Sequence, residues 1–176
     1  MKQIRNLITE ATPIQSDFHI TEDTNIIIPA KHTNYDSIVL EGNEVYAVRQ
    51  TPDNIINQAC QKSGYDLEIK QKQTKILSEH SYKLPVSLSD ELILVAFPTK
   101  GINDIDCAWI MIRNVFDIGK HESGSVVIFK NGQQVILDIS FDILKNQCIK
   151  ATELYNHFYS LALHKCNLII LINFSR

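Results

Sequence analysis

The pair Asn131-Gly132 sits between two apolar-rich runs, Val126-Val127-Ile128-Phe129-Lys130 and Gln133-Gln134-Val135-Ile136-Leu137. Asn and Gly both tolerate positive φ, so the pattern predicts a β-hairpin closed by a two-residue type I′ turn. In that register Lys130 pairs with Gln133. Ile128 then lies opposite Val135 and Val126 opposite Leu137 on one face, with Phe129, Val127 and Ile136 on the other. A ribbon that is apolar on both faces needs cover on both, from helices or from a second subunit, which points to a larger sheet or a dimer.

Flanking segments supply further strands. Glu91-Leu92-Ile93-Leu94-Val95-Ala96-Phe97 is almost continuously apolar, the mark of a strand buried on both faces, and Pro98 ends it. Lys83-Leu84-Pro85-Val86 leads towards it, and Trp109-Ile110 marks another strand. Ser37 to Gln50 reads as a second hairpin, with Ile38-Val39-Leu40 and Val45-Tyr46-Ala47-Val48 joined at Glu41-Gly42-Asn43. In residues 1–36 the most ordered run is Asn25-Ile26-Ile27-Ile28 before Pro29, which predicts a short strand within a loosely attached arm.

Two helices are punctuated in the sequence. The first has Thr51 as N-cap, Pro52 at its first position, Asp53 in the first turn and Gly64 as its stop, with Ile55, Ile56, Ala59 and Cys60 as the inward stripe. Cys60 in that stripe reads as a small buried residue rather than a nucleophile. The second helix follows Ser140 as N-cap, and Phe141, Leu144, Cys148, Ala151, Tyr155, Phe158 and Ala162 recur at helical spacing along it. Between the helices, Lys62 to Lys83 is polar and basic. Lys62, Lys70, Lys72, Lys75 and Lys83 stand there against Asp66, Glu68 and Glu79, which predicts a solvated loop or edge strand, or a strip that contacts phosphate.

The expected fold class is therefore α+β: one domain, mostly antiparallel sheet with hairpins, a short central helix and a long C-terminal amphipathic helix. The boundaries are an arm at 1–36, a folded domain at 37–163 and a short apolar tail at 164–176. With 44% hydrophobic and 21% charged residues in 176, the chain has the composition of a globular domain with a core. A net charge of -3 gives no bulk attraction to nucleic acid, so a DNA-binding reading rests on a local basic face.

Cys60, Cys107, Cys148 and Cys166 are widely separated, show no metal-ligand spacing, and read as reduced thiols. Asp104 and Asp106 lack the ligand spacing of an EF-hand loop, and His157 and His164, seven apart, lack further ligands nearby. No metal or cofactor is expected. The first ten residues hold no signal-peptide core, and the apolar run from Leu168 to Phe174 is far shorter than the roughly 20 residues that span a bilayer, so a cytoplasmic address without membrane contact follows. There is no Gly-rich phosphate loop, Gly-x-Ser-x-Gly elbow or His-Glu-x-x-His, and an enzyme is not expected.

In order along the chain, Cys60, Gly64, Lys83, Pro85, Phe97-Pro98-Thr99, Trp109-Ile110, Val126/Val127 to Phe129, Asn131-Gly132, Leu137-x-Ile139-Ser140, Gln147, Ala151 and Phe158 resemble the competence transcription factor (ComK-like) family over roughly residues 37 to 160. The resemblance implies a DNA-binding transcriptional activator of genes for DNA uptake and genetic transformation. Such a protein would read paired A/T-rich boxes through the minor groove as a dimer or higher oligomer, and would be nucleoid-associated. A narrow A-tract minor groove attracts inserted cations, which fits that mode. Lys70, Lys72 and Lys75 are then the leading phosphate or minor-groove candidates, with Lys83, Lys62 and Arg113 behind them.

The chain departs from the family's pattern in two places. Gly64-Tyr65-Asp66-Leu67-Glu68-Ile69-Lys70 stands where many members have Gly-Ser-Ser-Tyr-x-Gly-Arg, and the apolar tail stands where members carry a longer charged segment linked to promoter activation and adaptor-guided proteolysis. The alternative expectation is a divergent or truncated paralogue that acts by contact with a homologue or a regulatory adaptor, without binding DNA itself.

Overall fold

A computed structural model describes Ile8 and residues 12–174 of the chain, with side chains described as far as Lys165. The elements run β1 (Ile14–Gln15), β2 (Thr24–Pro29), β3 (Ser37–Glu41), β4 (Glu44–Val48), α1 (Pro52–Lys62), α2 (Leu67–Leu77), β5 (Val86–Ser89), β6 (Leu94–Pro98) and β7 (Trp109–Met111). A 3-10 turn (Ile112–Asn114) then leads into β8 (Val115–His121), β9 (Gly124–Phe129), β10 (Gln134–Leu137) and α3 (Phe141–Phe174). Strands β1 to β7 form one sheet in the order β1-β4-β3-β2-β7-β6-β5, and β8 to β10 form a three-stranded meander. Among these strands only the β1–β4 pairing is parallel. The architecture is the α+β class expected from the sequence.

Each face of the large sheet has its own core. On one, Ile26, Ile28, Ile38, Leu40, Val95, Phe97 and Ile110 pack against Val127, Phe129, Val135 and Leu137 of the meander and against Leu144, Ala151 and Leu154 of α3. On the other, Ile27, Val39, Val48, Val86, Ala96, Trp109 and Met111 pack against Ile55, Ile56 and Cys60 of α1. Cover on both sides explains why the run around β6 is continuously apolar: every residue from Leu94 to Thr99 is buried.

The Asn131-Gly132 hairpin forms, but one residue out of the expected register. Gln134 pairs with Ile128, Val135 with Val127, Ile136 with Val126 and Leu137 with Ser125. Phe129 N donates to Gln133 O and Gly132 N to Phe129 O, both at 2.9 Å. The loop is therefore the three residues Lys130-Asn131-Gly132, with only Gly132 at positive φ, +84°. That is a type I turn followed by a left-handed Gly, not a type I′ turn, which needs positive φ at both central residues. The shift puts Val127, Phe129, Val135 and Leu137 together on the core face and leaves Val126, Ile128 and Ile136 half-buried on the other.

Two further expectations are corrected. The run Asn25-Ile26-Ile27-Ile28 is a strand, but β2 lies between β3 and β7 inside the sheet, so it is not part of a loose arm. Asn114 Nδ2 fastens its entry by donating to Glu22 O at 2.8 Å and Thr24 O at 2.7 Å. The segment Leu67–Leu77 is a helix rather than a loop or edge strand. Helix α3 runs on through the apolar tail to Phe174.

Helix α1 follows its punctuation. Thr51 Oγ1 accepts from Asn54 N at 3.3 Å, Pro52 is the first residue, and Gly64 beyond the end has φ +84°. Its Asp53 accepts a 2.7 Å hydrogen bond from Trp109 Nε1, joining α1 to β7. Burial holds the Asp53 carboxyl above its ordinary range, with the Trp109 bond pulling it back down.

Candidate nucleic-acid interface

The six cations singled out from the sequence do not form one strip. Lys62 closes α1 and is exposed. Helix α2 begins at Leu67, with Asp66 as N-cap accepting from Ile69 N at 2.8 Å and Asn57 Oδ1 accepting from Leu67 N at 2.8 Å. Along α2, Lys70 and Thr74 turn inward and are buried. Lys72, Lys75 and Ile76 are exposed, Ile76 to 84%.

Lys70 is the most enclosed of the six cations. Its side chain is 4% exposed and its ammonium lies 3.7 Å from Asp90 Oδ1 and 5.5 Å from the centre of the Tyr65 ring. Lys72 is exposed, and its Nζ is 2.7 Å from Glu68 Oε1 one turn back. The hydrogen bond to Glu68 raises the Lys72 ammonium above its ordinary range. The pair is solvent-screened and exchangeable for a phosphate contact.

Lys83 lies beyond α2 at the approach to β5, with backbone φ +50°. A non-Gly residue in the left-handed region carries a cost of about 1 kcal/mol and persists only where its surroundings hold it. Gln147 of α3, itself buried, does so: its Nε2 donates to Lys83 O and Pro98 O, each at 2.9 Å. Lys150 Nζ, one turn along α3, donates to Tyr82 O at 2.8 Å. Burial lowers the Lys150 ammonium, the Lys83 charge lowers it further, and Glu153 opposes both. Two like charges are thus kept near each other.

Sequence reasoning missed Lys150, because it meets Tyr82 across 68 positions and no local pattern joins them. Arg113, the sixth candidate, is committed to the fold. Its Nη1 is 3.1 Å from Glu22 Oε1 and donates to Leu92 O at 3.0 Å.

The arrangement offers two small cationic positions: the outer face of α2 with Lys72 and Lys75, and the Lys83/Lys150 pair between the β5 approach and α3. His80, just beyond α2, reaches towards the second of these, with Nε2 2.8 Å from Glu153 Oε2 on α3. Gln71 and Gln73 lie half-buried beside Lys72 on α2. Among the described residues no group of three His, Cys, Asp or Glu is placed to hold a metal ion, and no helix is long and apolar enough to cross a membrane. The thiols of Cys60, Cys107 and Cys148 are free, and burial pushes each up to about 11.

Residues 15–160 match the family described as ComK protein, a span that takes in nearly all of both sheets, α1, α2 and the core-packed part of α3. The chain is 25% identical over 123 residues to the competence transcription factor of Bacillus subtilis (strain 168). That alignment covers 69% of this chain and 64% of the relative, so the chain spans a little under two thirds of that protein's length. No solved structure matches.

Proposed function

The chain belongs to the ComK protein family, and from that membership we propose that it is a DNA-binding transcription factor for competence genes. The observation that carries this reading is the family match across residues 15–160, which takes in every strand from β2 to β10 and all the cations discussed above. We further propose that it reads A/T-rich boxes through the minor groove, as a dimer on paired half-sites. Helix α2 supports the groove reading, since its outer face presents Lys72, Lys75 and Ile76, 84% exposed, with half-buried Gln71 and Gln73 on its two flanks. Lys and Gln suit a groove whose edges separate A·T from G·C and little else, and exposed aliphatic side chains are the usual wedges at such steps. Lys83, with Lys150 beside it, and Lys62 at the end of α1 would contact flanking phosphates. In this reading Lys70 and Arg113 support the fold and do not touch DNA.

The acids that distinguish Gly64–Lys70 from the family pattern have structural work here. Asp66 caps α2 and Glu68 sits in its first turn, where a negative charge is favourable. Footprinting on A/T-rich promoter DNA tests the proposal: protection of paired A/T boxes, absent on a G/C-substituted duplex, is expected. Equal affinity for both duplexes would remove the minor-groove reading. Absence of any footprint, with co-purification of a full-length homologue, would favour action through protein contact instead.

A further inference from the structure

The Lys70 side chain is 4% exposed, and its ion pair with Asp90 at 3.7 Å is longer than a direct hydrogen bond. That Asp90 oxygen already accepts from Ser87 Oγ at 2.6 Å. The Lys70 side chain lines a groove of about 540 Å³ between the α1–α2 turn and the β5–β6 hairpin. That volume lies within the roughly 300–1,000 Å³ of small-molecule sites.

The wall opposite is held under strain. Ile93, in the β5–β6 turn between Leu92 and Leu94 of the lining, has φ +51°. A β-branched residue there is a backbone outlier of the kind found at ligand clamps. Arg113 Nη1 holds the preceding carbonyl, Leu92 O, at 3.0 Å.

We propose that this groove is a binding site for a small organic carboxylate, with the Lys70 ammonium as its anchor. The carboxylate would accept the charge-assisted hydrogen bonds that Asp90 is too far away to take. Lys62 at the rim and Lys70 together balance Asp90 and Glu91, which line the same groove. Those two acids also set the charge class, because a dianion would be repelled by them while one buried ammonium neutralises a single negative charge. Ile20, Ala59, Leu88 and Leu94 provide an apolar lining for a short hydrocarbon body, and the Tyr65 ring stands 5.5 Å from the ammonium. The site shares Lys62 with the DNA-binding proposal but does not rest on it.

The test uses the full chain with 13C-labelled lysines, titrated at constant ionic strength with 3-phenylpropionate, with uncharged 3-phenylpropanol and with inorganic phosphate. The Lys70 Cε resonance is identified by its loss in Lys70→Arg. A saturable shift of that resonance with 3-phenylpropionate alone is expected, together with an affinity roughly tenfold or more weaker in Lys70→Met by calorimetry. Lys70→Met removes the ion pair from Asp90, which is 54% exposed and keeps its hydrogen bond from Ser87 Oγ, so the variant is expected to fold. If it fails to fold, the wild-type shift decides alone. No saturable shift, equal affinity in Lys70→Met, or phosphate acting as well as the carboxylate would overturn the assignment.

Discussion

Gly124 and Gly132 are both at positive φ, +135° and +84°, yet they do different work. A Cβ on Gly124 would meet Leu137 O at 2.2 Å and Ile139 O at 3.0 Å, whereas one on Gly132 would meet nothing within 4 Å. Gly124→Ala must therefore displace the main chain where the meander meets the approach to α3, and we expect a loss of roughly 3 kcal/mol or more by urea unfolding. Gly132→Ala should cost only the left-handed strain, about 1 kcal/mol. Equal losses would contradict the close approach at Gly124.

The buried thiols make a second residue-level prediction. Their ordinary value is 9.0, and burial raises Cys60, Cys107 and Cys148 to about 11 each. Well below that ordinary value the thiols are protonated in both folded and unfolded chains. Between 9.0 and about 11 the unfolded chain loses these protons first, so the folded state binds more protons and stability falls as pH rises through that window. Urea midpoints measured across it in reductant should decline, and the decline should be shallower in Cys60→Ala.

At the scale of elements, the sequence was readable where signals are local. The Thr51-Pro52-Asp53 start and Gly64 stop of α1 need no tertiary context, and both appear in the structure. Helix α2 escaped because its inward face is Lys70 and Thr74, so no apolar stripe marks it. Its remaining signals, the Asp66 cap, Glu68 and Lys72 one turn apart, and the absence of Gly or Pro from Tyr65 to Leu84, were legible but weak beside a run of lysines. Asp66→Ala tests the cap, with about 1 kcal/mol of stability lost and less helix in the far-UV dichroism. No change would mean that Asn57, which accepts from Leu67 N, is the sufficient cap. The candidate site was less readable than the fold: which lysines face outward depends on α2 being a helix, and the meeting of Lys83 with Lys150 depends on the packing of α3.

For the whole molecule, the largest revision concerns the first 36 residues. Strand β2 supplies Ile26, Ile27 and Ile28, each at most 2% exposed, and serves both cores. Asn25 Nδ2 donates to Gln133 Oε1 at 3.0 Å, so the same strand touches the meander hairpin. A chain starting at residue 37 should fail to fold cooperatively, and a sharp thermal transition in that fragment would contradict the architecture. An intact domain presents Lys72 and Lys75 from α2 and Lys83 from the approach to β5, and only their combined effect on a polyanion distinguishes an interface from ordinary surface charge.

The most direct measurement is affinity for an A/T-box duplex over a salt series, comparing the natural chain with Lys72→Ala/Lys75→Ala/Lys83→Ala. Removing one lysine that neutralises a phosphate should lower the slope of log affinity against log salt by about 0.9. The account predicts weaker binding and a slope smaller by roughly two to three units. Unchanged affinity and slope in the triple variant would contradict it.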